Sequence, residues 1–221
     1  MQNVLIYLSL FFSALLMQAQ TTSTETISET PPSKYEEGMN KAFQLWQEDK
    51  PWEAANMFER IATAEPDNWL PPYYVAQLNV IYSFTEKDIT KLTAQLDKAQ
   101  DFINDASAIS KDNAEILVLQ AQWYTAWIIY DGQKYGMTYS AKASELYQKA
   151  LVLAPNNPRV ILSKAEWDIG GAKYFGQSVE PYCKDVQRAI ELFPTFKPES
   201  EFHPTYGLER AKEVLKENCN K

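Results

Sequence analysis

The chain has 221 residues, with 29 Asp and Glu against 21 Lys and Arg and a formal net charge of −8. That balance argues against nucleic acid, whose phosphates demand a basic face, and against electrostatic attachment to a membrane surface. Hydrophobic residues make up 45% of the chain, which excludes a wholly disordered protein and allows one domain with a sizeable core.

Residues 4–16 (VLIYLSLFFSALL) form one apolar run of 13 residues, short of the about 20 that a membrane-spanning helix needs. Met17-Gln18-Ala19 follows and puts a small residue where signal peptidase requires one, so residues 1–19 read as a cleaved secretory signal. The leader MQN departs from the usual pattern by carrying no Lys or Arg, and no Cys follows the run to take a lipid anchor. No later window is apolar for long enough to give the mature chain a transmembrane segment. The expected location is therefore the periplasm or the medium. Residues 20–33 (QTTSTETISETPPS) hold a single apolar side chain. They cannot bury enough surface to offset the entropy of ordering, and read as a disordered linker.

Helical periodicity starts at Lys34. Ala42, Leu45 and Trp46 mark a first helix, Asp49-Lys50-Pro51 a turn, and Ala54, Phe58 and Ile61 a second helix that stops at Pro66-Asp67-Asn68. Residues 69–84 form another first helix, entered through Pro71-Pro72, where the missing N–H groups cost nothing. Ala99, Ile103 and Ala106 mark its partner, and Lys111-Asp112-Asn113 ends the pair. Residues 114–130 then lead to residues 143–157 (ASELYQKALVLAPNN), in which Ala143, Tyr147 and Ala150 share one face before Pro155 stops the helix. A fourth pair begins at Pro158, carries Ala165, then Tyr182, Val186 and Ala189, and closes at Pro194.

Set Pro66 against Pro155, and Ala54 and Phe58 align with Ala143 and Tyr147. The pattern small, aromatic, small, Pro of residues 143–157, recurring in its small, aromatic and Pro positions in the first unit, resembles the second helix of the tetratricopeptide repeat (TPR). The stops at 66, 111, 155 and 194 lie 45, 44 and 39 residues apart, longer than the about 34 of the standard unit. The chain thus resembles a divergent, extended TPR array. What the resemblance implies is an all-α, right-handed solenoid of about four helix–turn–helix pairs over residues 34–195, each unit burying its apolar face on the next. Residues 196–221 form an extension, Pro-interrupted at 195–204. It ends in an amphipathic stretch with Leu208, Ala211, Val214 and Leu215 on one face, the pattern of a capping helix.

Catalytic motifs are scarce. His203 is the single histidine, flanked by Phe202 and Pro204, and no triad or His-based metal site can be assembled around it, so it reads as structural. There is no CxxC, GxSxG or HExxH, and Gly170-Gly171 lacks the GK[ST] of a phosphate loop. No enzyme, cofactor or metal is expected. Cys183 lies 11 residues before Pro194 and Cys219 lies 14 after Thr205. If the capping helix folds back antiparallel, about 1.5 Å per residue brings the two thiols to similar heights. A Cys183–Cys219 disulfide pinning the cap is the expectation, in keeping with export.

In the TPR family the first helix of each pair lines a concave groove. The corresponding positions here are Met39, Phe43 and Trp46; Tyr73, Gln77, Val80 and Ile81; Val118, Gln122, Thr125 and Ala126; and Leu162, Glu166 and Ile169. This mostly apolar set suits a protein or peptide partner held by side-chain anchors, and it lacks the Lys and Arg clamp of carboxylate-capturing members. A short array can also close its groove with its own side chains. A second candidate is a rim of two Gly-containing turns, residues 131–139 (DGQKYGMTY) and 170–177 (GGAKYFGQ), with Tyr130, Tyr135, Tyr139, Tyr174 and Phe175 for a sugar or other small ligand. The plainer reading is that these rings cover the solenoid edge. Trp123 and Trp127, four apart, read as core. The sequence thus predicts a non-enzymatic exported scaffold or adaptor, with small-molecule binding at the rim as the alternative.

Overall fold

The computed structural model describes residues 32–219, so the expected signal peptide and all but the end of the expected linker lie outside the described residues. Among the described residues every regular element is helical. The order is α1 (Lys34–Gln47), α2 (Pro51–Ala64), α3 (Leu70–Ser83), α4 (Ile89–Ile109), α5 (Ala114–Tyr130), α6 (Gly132–Leu153), α7 (Pro158–Tyr174), α8 (Glu180–Leu192), a 3-10 turn (Phe193–Thr195) and α9 (Leu208–Asn218).

Local chemistry sets most helix starts. Ser33 Oγ accepts from the Glu36 amide at 3.2 Å while Glu36 accepts from the Ser33 amide at 2.6 Å, a reciprocal capping box at α1. Asp88, Asn113, Asp131 and Asn157 each accept amide hydrogens at the next starts, filling donors that the helix itself cannot satisfy. Pro occupies the first turn of α2, α3, α7 and α8.

The helices pack in neighbouring pairs, α1 on α2, α3 on α4, α5 on α6 and α7 on α8. The first helices also touch along the stack, α3 with α5 and α5 with α7. Ala54, Phe58, Ala143 and Tyr147, the residues that carried the repeat pattern, are all buried. Burying a side chain such as Phe58 stabilises by about 1.5–3 kcal/mol, and the two small alanines let adjacent helices approach to contact. One core cluster runs from α1 to α5, a second joins α5, α6 and α7, and a third joins α7, α8 and α9.

The C-terminal end departs from simple stacking. After the 3-10 turn, residues 196–207 run without regular structure back to the first two repeats, where Phe202 joins the core of α1–α5. We call this segment the strap. Gly207 ends it at φ +132°, and a Cβ there would lie 2.8 Å from Phe193 Cζ, so only glycine fits the return into α9. Helix α9 then lays Ala211 and Val214 on Val186 and Ala189 of α8. A disulfide joins Cys183 of α8 to Cys219 just after α9, with the Cα atoms 5.7 Å apart. No helix among the described residues is long and apolar enough to cross a membrane.

Candidate functional site

The strap packs against first helices, on α1 and at the starts of α3 and α7. Tyr74 on α3 donates its hydroxyl to the Phe202 carbonyl at 2.6 Å. The Phe202 ring lies nearly parallel to Phe43, centroids 6.1 Å apart, and edge-on to Tyr35 at 5.5 Å. Arg159 on α7 donates to the Tyr206 carbonyl at 2.7 Å and places its guanidinium carbon 3.9 Å from the centre of the Tyr206 ring. Trp46 meets the same ring at 6.3 Å. Side chains of α1, α3 and α7 therefore grip a non-helical segment by two carbonyls and two aromatic anchors.

Below the strap sits a buried polar network. The Glu115 carboxylate on α5 accepts from Arg159 Nε at 3.0 Å and Asn157 Nδ2 at 2.7 Å. Arg159 Nη2 donates to the Tyr73 hydroxyl at 3.3 Å, and Gln77 donates to it at 3.1 Å. Burial pushes the Tyr73 hydroxyl well above its ordinary pKa, so it stays neutral. An ion pair this dry holds only because both partners are present and hydrogen-bonded.

This arrangement decides where the groove positions lie. Met39, Tyr73, Gln77, Val80, Val118, Ala126, Leu162 and Ile169 are buried, Phe43, Trp46, Gln122, Thr125 and Glu166 are half-buried, and Ile81 is exposed. Phe43 packs among Phe58, Tyr74 and Phe202. Glu166 accepts from Arg210 of α9 at 2.8 Å; burial raises its carboxyl pKa and Arg210 partly offsets that rise. These side chains do not form an open wall. The reason is visible in α3, which is apolar on all sides and can only be stable if something covers its inner face.

The rim differs from its expected form. Residues 131–139 are not a turn: α6 starts at Gly132, because the Asp131 carboxylate caps it by accepting from the Lys134 amide at 3.0 Å. Gly170 and Gly171 likewise lie inside α7, and the chain turns only after Tyr174, with Gly176 at φ +66°. Tyr135 and Tyr139 stack at 5.6 Å and lean on Trp127, Trp123 and Tyr124, with Lys134 and Lys142 over their rings. Tyr130 is exposed, and Tyr174 and Phe175 are more so, touching each other. Among the described residues no ring contact links the Tyr135–Tyr139 stack to the Tyr174–Phe175 pair.

An open cleft of about 740 Å³ lies where the repeats turn. The stops at Lys111-Asp112-Asn113 and Pro155-Asn156-Asn157 form two walls, and Glu115, Leu153, Leu192, Phe196, Lys197, Glu199 and His203 are among the other lining residues. The volume falls within the range of small-molecule sites, about 300–1,000 Å³. Its chemistry combines apolar faces (Leu153, Leu192, Phe196), two cations (Lys111, Lys197), three carboxylates (Asp112, Glu115, Glu199) and an imidazole. His203 is 7% exposed and sits edge-on to Trp69 at 5.7 Å, with Phe196 at 6.2 Å. Burial lowers its pKa, and the nearby Glu115 and Glu199 partly offset this, so the ring is held toward the neutral form that can donate a lone pair. The sequence did not reveal this cleft, because its walls come from three turns and the strap. The hint was local: the one histidine beside an aromatic residue in a segment that has no helical role.

The helices and their pairwise packing define a TPR-like helical-repeat fold. No protein-family model matches the chain, and no curated protein sequence matches it. Among solved structures, the chain is similar to the HusA haemophore from Porphyromonas gingivalis, with a TM-score of 0.75 and 21% identity over 86% of this chain and 96% of that one. It is also similar to TTC0263, a thermophilic TPR protein in Thermus thermophilus, with a TM-score of 0.55 and 14% identity over 85% of this chain and 92% of that one. One is described as a haemophore and the other as a TPR protein, and neither description names a reaction.

Proposed function

We propose that the protein is an exported, non-enzymatic binding protein that carries a flat, largely apolar, anionic ligand of the tetrapyrrole class in the turn-end cleft. The observation that supports this most is the likeness to a haemophore over nearly the whole of both chains. In the cleft, Phe196, Leu153 and Leu192 offer apolar faces to the ring and Lys111 and Lys197 offer charge to its carboxylates; of the three carboxylates in the lining, Glu115 is paired with Arg159 and Asp112 with Lys149, while Glu199 faces the ligand's charge. Export rests on the leader at residues 1–19, followed by a linker to the helical domain at Ser33, and on the disulfide, which persists in oxidising compartments. Titration of the mature chain with haemin, followed by absorbance, should give saturable binding that Phe196→Ala and Lys197→Glu each weaken. Saturable binding untouched by both substitutions would move the ligand elsewhere, and no binding would end the reading.

A second reading is favoured by one observation: α1, α3 and α7 already hold a non-helical peptide, the chain's own residues 202–206. An adaptor that takes a partner's peptide by displacing the strap would use the same Tyr74 and Arg159 donors and the same Phe43 and Trp46 contacts. A labelled peptide of residues 196–207 should then bind a Phe202→Ala, Tyr206→Ala variant, whose own anchors are gone. Failure to bind at high micromolar concentration would rule out exchange.

A further inference from the structure

We propose that His203 makes the strap an acid-sensitive wall of the turn-end cleft: when its ring gains a proton, residues 196–203 loosen and the cleft opens. The proposal concerns how the cleft is closed and does not depend on which ligand it holds. His203 is the single histidine of the chain, so a charge change between about pH 5 and about pH 8 has one natural side-chain carrier. The ring is 7% exposed and is wedged between Trp69, at the entry to α3, and Phe196, in the strap itself, at 5.7 and 6.2 Å. Its chain neighbours Phe202 and Pro204 are buried, while residues 197–201 are all exposed. His203 is therefore the one ionisable side chain of residues 196–203 that is buried, and it is buried where the strap meets the repeats.

A proton on this ring is poorly met. Among the described residues its side chain takes part in no hydrogen bond. Glu115 on α5 and Glu199 on the strap favour the charged ring and Arg159 on α7 opposes it, while Lys111, Asp112 and Lys197 also line the cleft. Glu115 is already engaged by Arg159 and Asn157, and Glu199 is exposed, where water and salt screen its charge. Burial is the largest influence and holds the ring below the ordinary histidine value of about 6.5. The closed strap thus keeps the ring neutral, whereas an open strap lets it take a proton at its ordinary pKa. Closure is fully favoured above about pH 6.5 and weakens as pH falls through the lower value of the closed form. The stretch can give way while the rest holds. Its backbone bonds are local turns, His203 N–H to the Ser200 carbonyl at 3.2 Å and Phe196 N–H to the Phe193 carbonyl at 3.3 Å, and the disulfide keeps α8 and α9 joined on either side.

The test uses the mature chain with its disulfide intact and no ligand added. One histidine gives one Cε1–H signal, so proton NMR from about pH 8 to about pH 4.5 reads its pKa directly. Hydrogen exchange of residues 196–203, corrected for the intrinsic effect of pH, reads strap opening over the same range. The expected result is a pKa below about 6.5 and exchange that accelerates as the ring is protonated, by about tenfold for each unit of that displacement. His203→Gln, which cannot take the proton, should keep its exchange level across the range. That variant retains Glu166, whose carboxyl pKa burial also raises, so a response from that group would survive the substitution. A histidine pKa at or above about 6.5, or strap exchange in the unaltered chain that ignores pH, overturns the proposal. So does an acid-driven rise that persists in folded His203→Gln. If His203→Gln does not fold, the unaltered chain decides alone: ring titration and strap opening must share one midpoint, and separate midpoints overturn the proposal.

Discussion

The strap borders two concave regions that differ in what fills them. Around Phe202 it meets Phe43, Tyr35 and Tyr74 and shuts the groove with aromatic contacts and a backbone hydrogen bond. Around Phe196 and His203 the same segment stands away from the repeat turns and leaves a cleft. The contrast follows from the surfaces opposite. Helix α3 offers apolar side chains on its inner face and must be covered, whereas the turns at residues 111–113 and 155–157 are polar and satisfy themselves in water. Concavity in a repeat protein is therefore a poor guide to where a ligand goes; the polarity of the lining decides what is left open.

The sharpest way to break this contrast is to cut the link between the two regions. Glu115 lines the cleft, while its partner Arg159 holds the strap at Tyr206. Arg159→Met leaves a carboxylate almost fully buried and unpaired, and should cost about 3–5 kcal/mol in denaturant unfolding. Pairing it with Glu115→Gln should recover much of that loss, because the stranded charge is gone. A loss under about 1 kcal/mol for the single variant would mean that the strap is not anchored through this pair.

Next comes the disulfide. Cys183 and Cys219 are 36 residues apart and enclose the 3-10 turn, the strap and α9. Opening a loop of this length should cost about 2–4 kcal/mol. Cys183→Ser with Cys219→Ser should therefore lower the melting temperature by several degrees. If the strap owes its place in the groove to its own contacts, the fluorescence of Trp46 and Trp69, which touch Tyr206 and His203, should change little below the transition. A large change would make the covalent tie the main cause of closure.

How much of this was legible beforehand differs between the regions. The repeats were readable because Ala54 and Phe58, like Ala143 and Tyr147, repeat a helical spacing just ahead of a Pro stop, and local periodicity is enough to mark buried faces. The covering of α3 was half-readable: a run such as LPPYYVAQLNVIYS is apolar all round and demands a cover. Its identity was not readable, since residues 196–207 pack on elements more than a hundred positions away, as in the Tyr74–Phe202 bond. The turn expected over residues 131–139 is the start of α6 instead, because Asp131-Gly132 reads equally well as a turn and as a helix cap. Asp131 acts as the cap.

A smaller effect tests the closed region alone. Tyr74→Phe removes the hydroxyl that reaches the Phe202 carbonyl and keeps the ring that packs on Phe43 and Phe58. The expected cost is about 1 kcal/mol, with somewhat more if the carbonyl finds no water. Haemin affinity should be unchanged, because the bond belongs to the groove and not to the cleft.

The smallest expected effect concerns the exposed pair at the end of α7. Tyr174 and Phe175 are 78% and 72% exposed and touch each other. Tyr174→Ser with Phe175→Ser should change stability by no more than about 0.5 kcal/mol, since neither ring contributes to the core. That silence makes the variant informative about binding. A ligand in the turn-end cleft, bounded by Leu192 at the end of α8 and Phe196 beyond it, should bind it as tightly as before. Loss of haemin or sugar binding without loss of stability would instead place recognition on the aromatic rim, and the open cleft would be only a gap between polar turns.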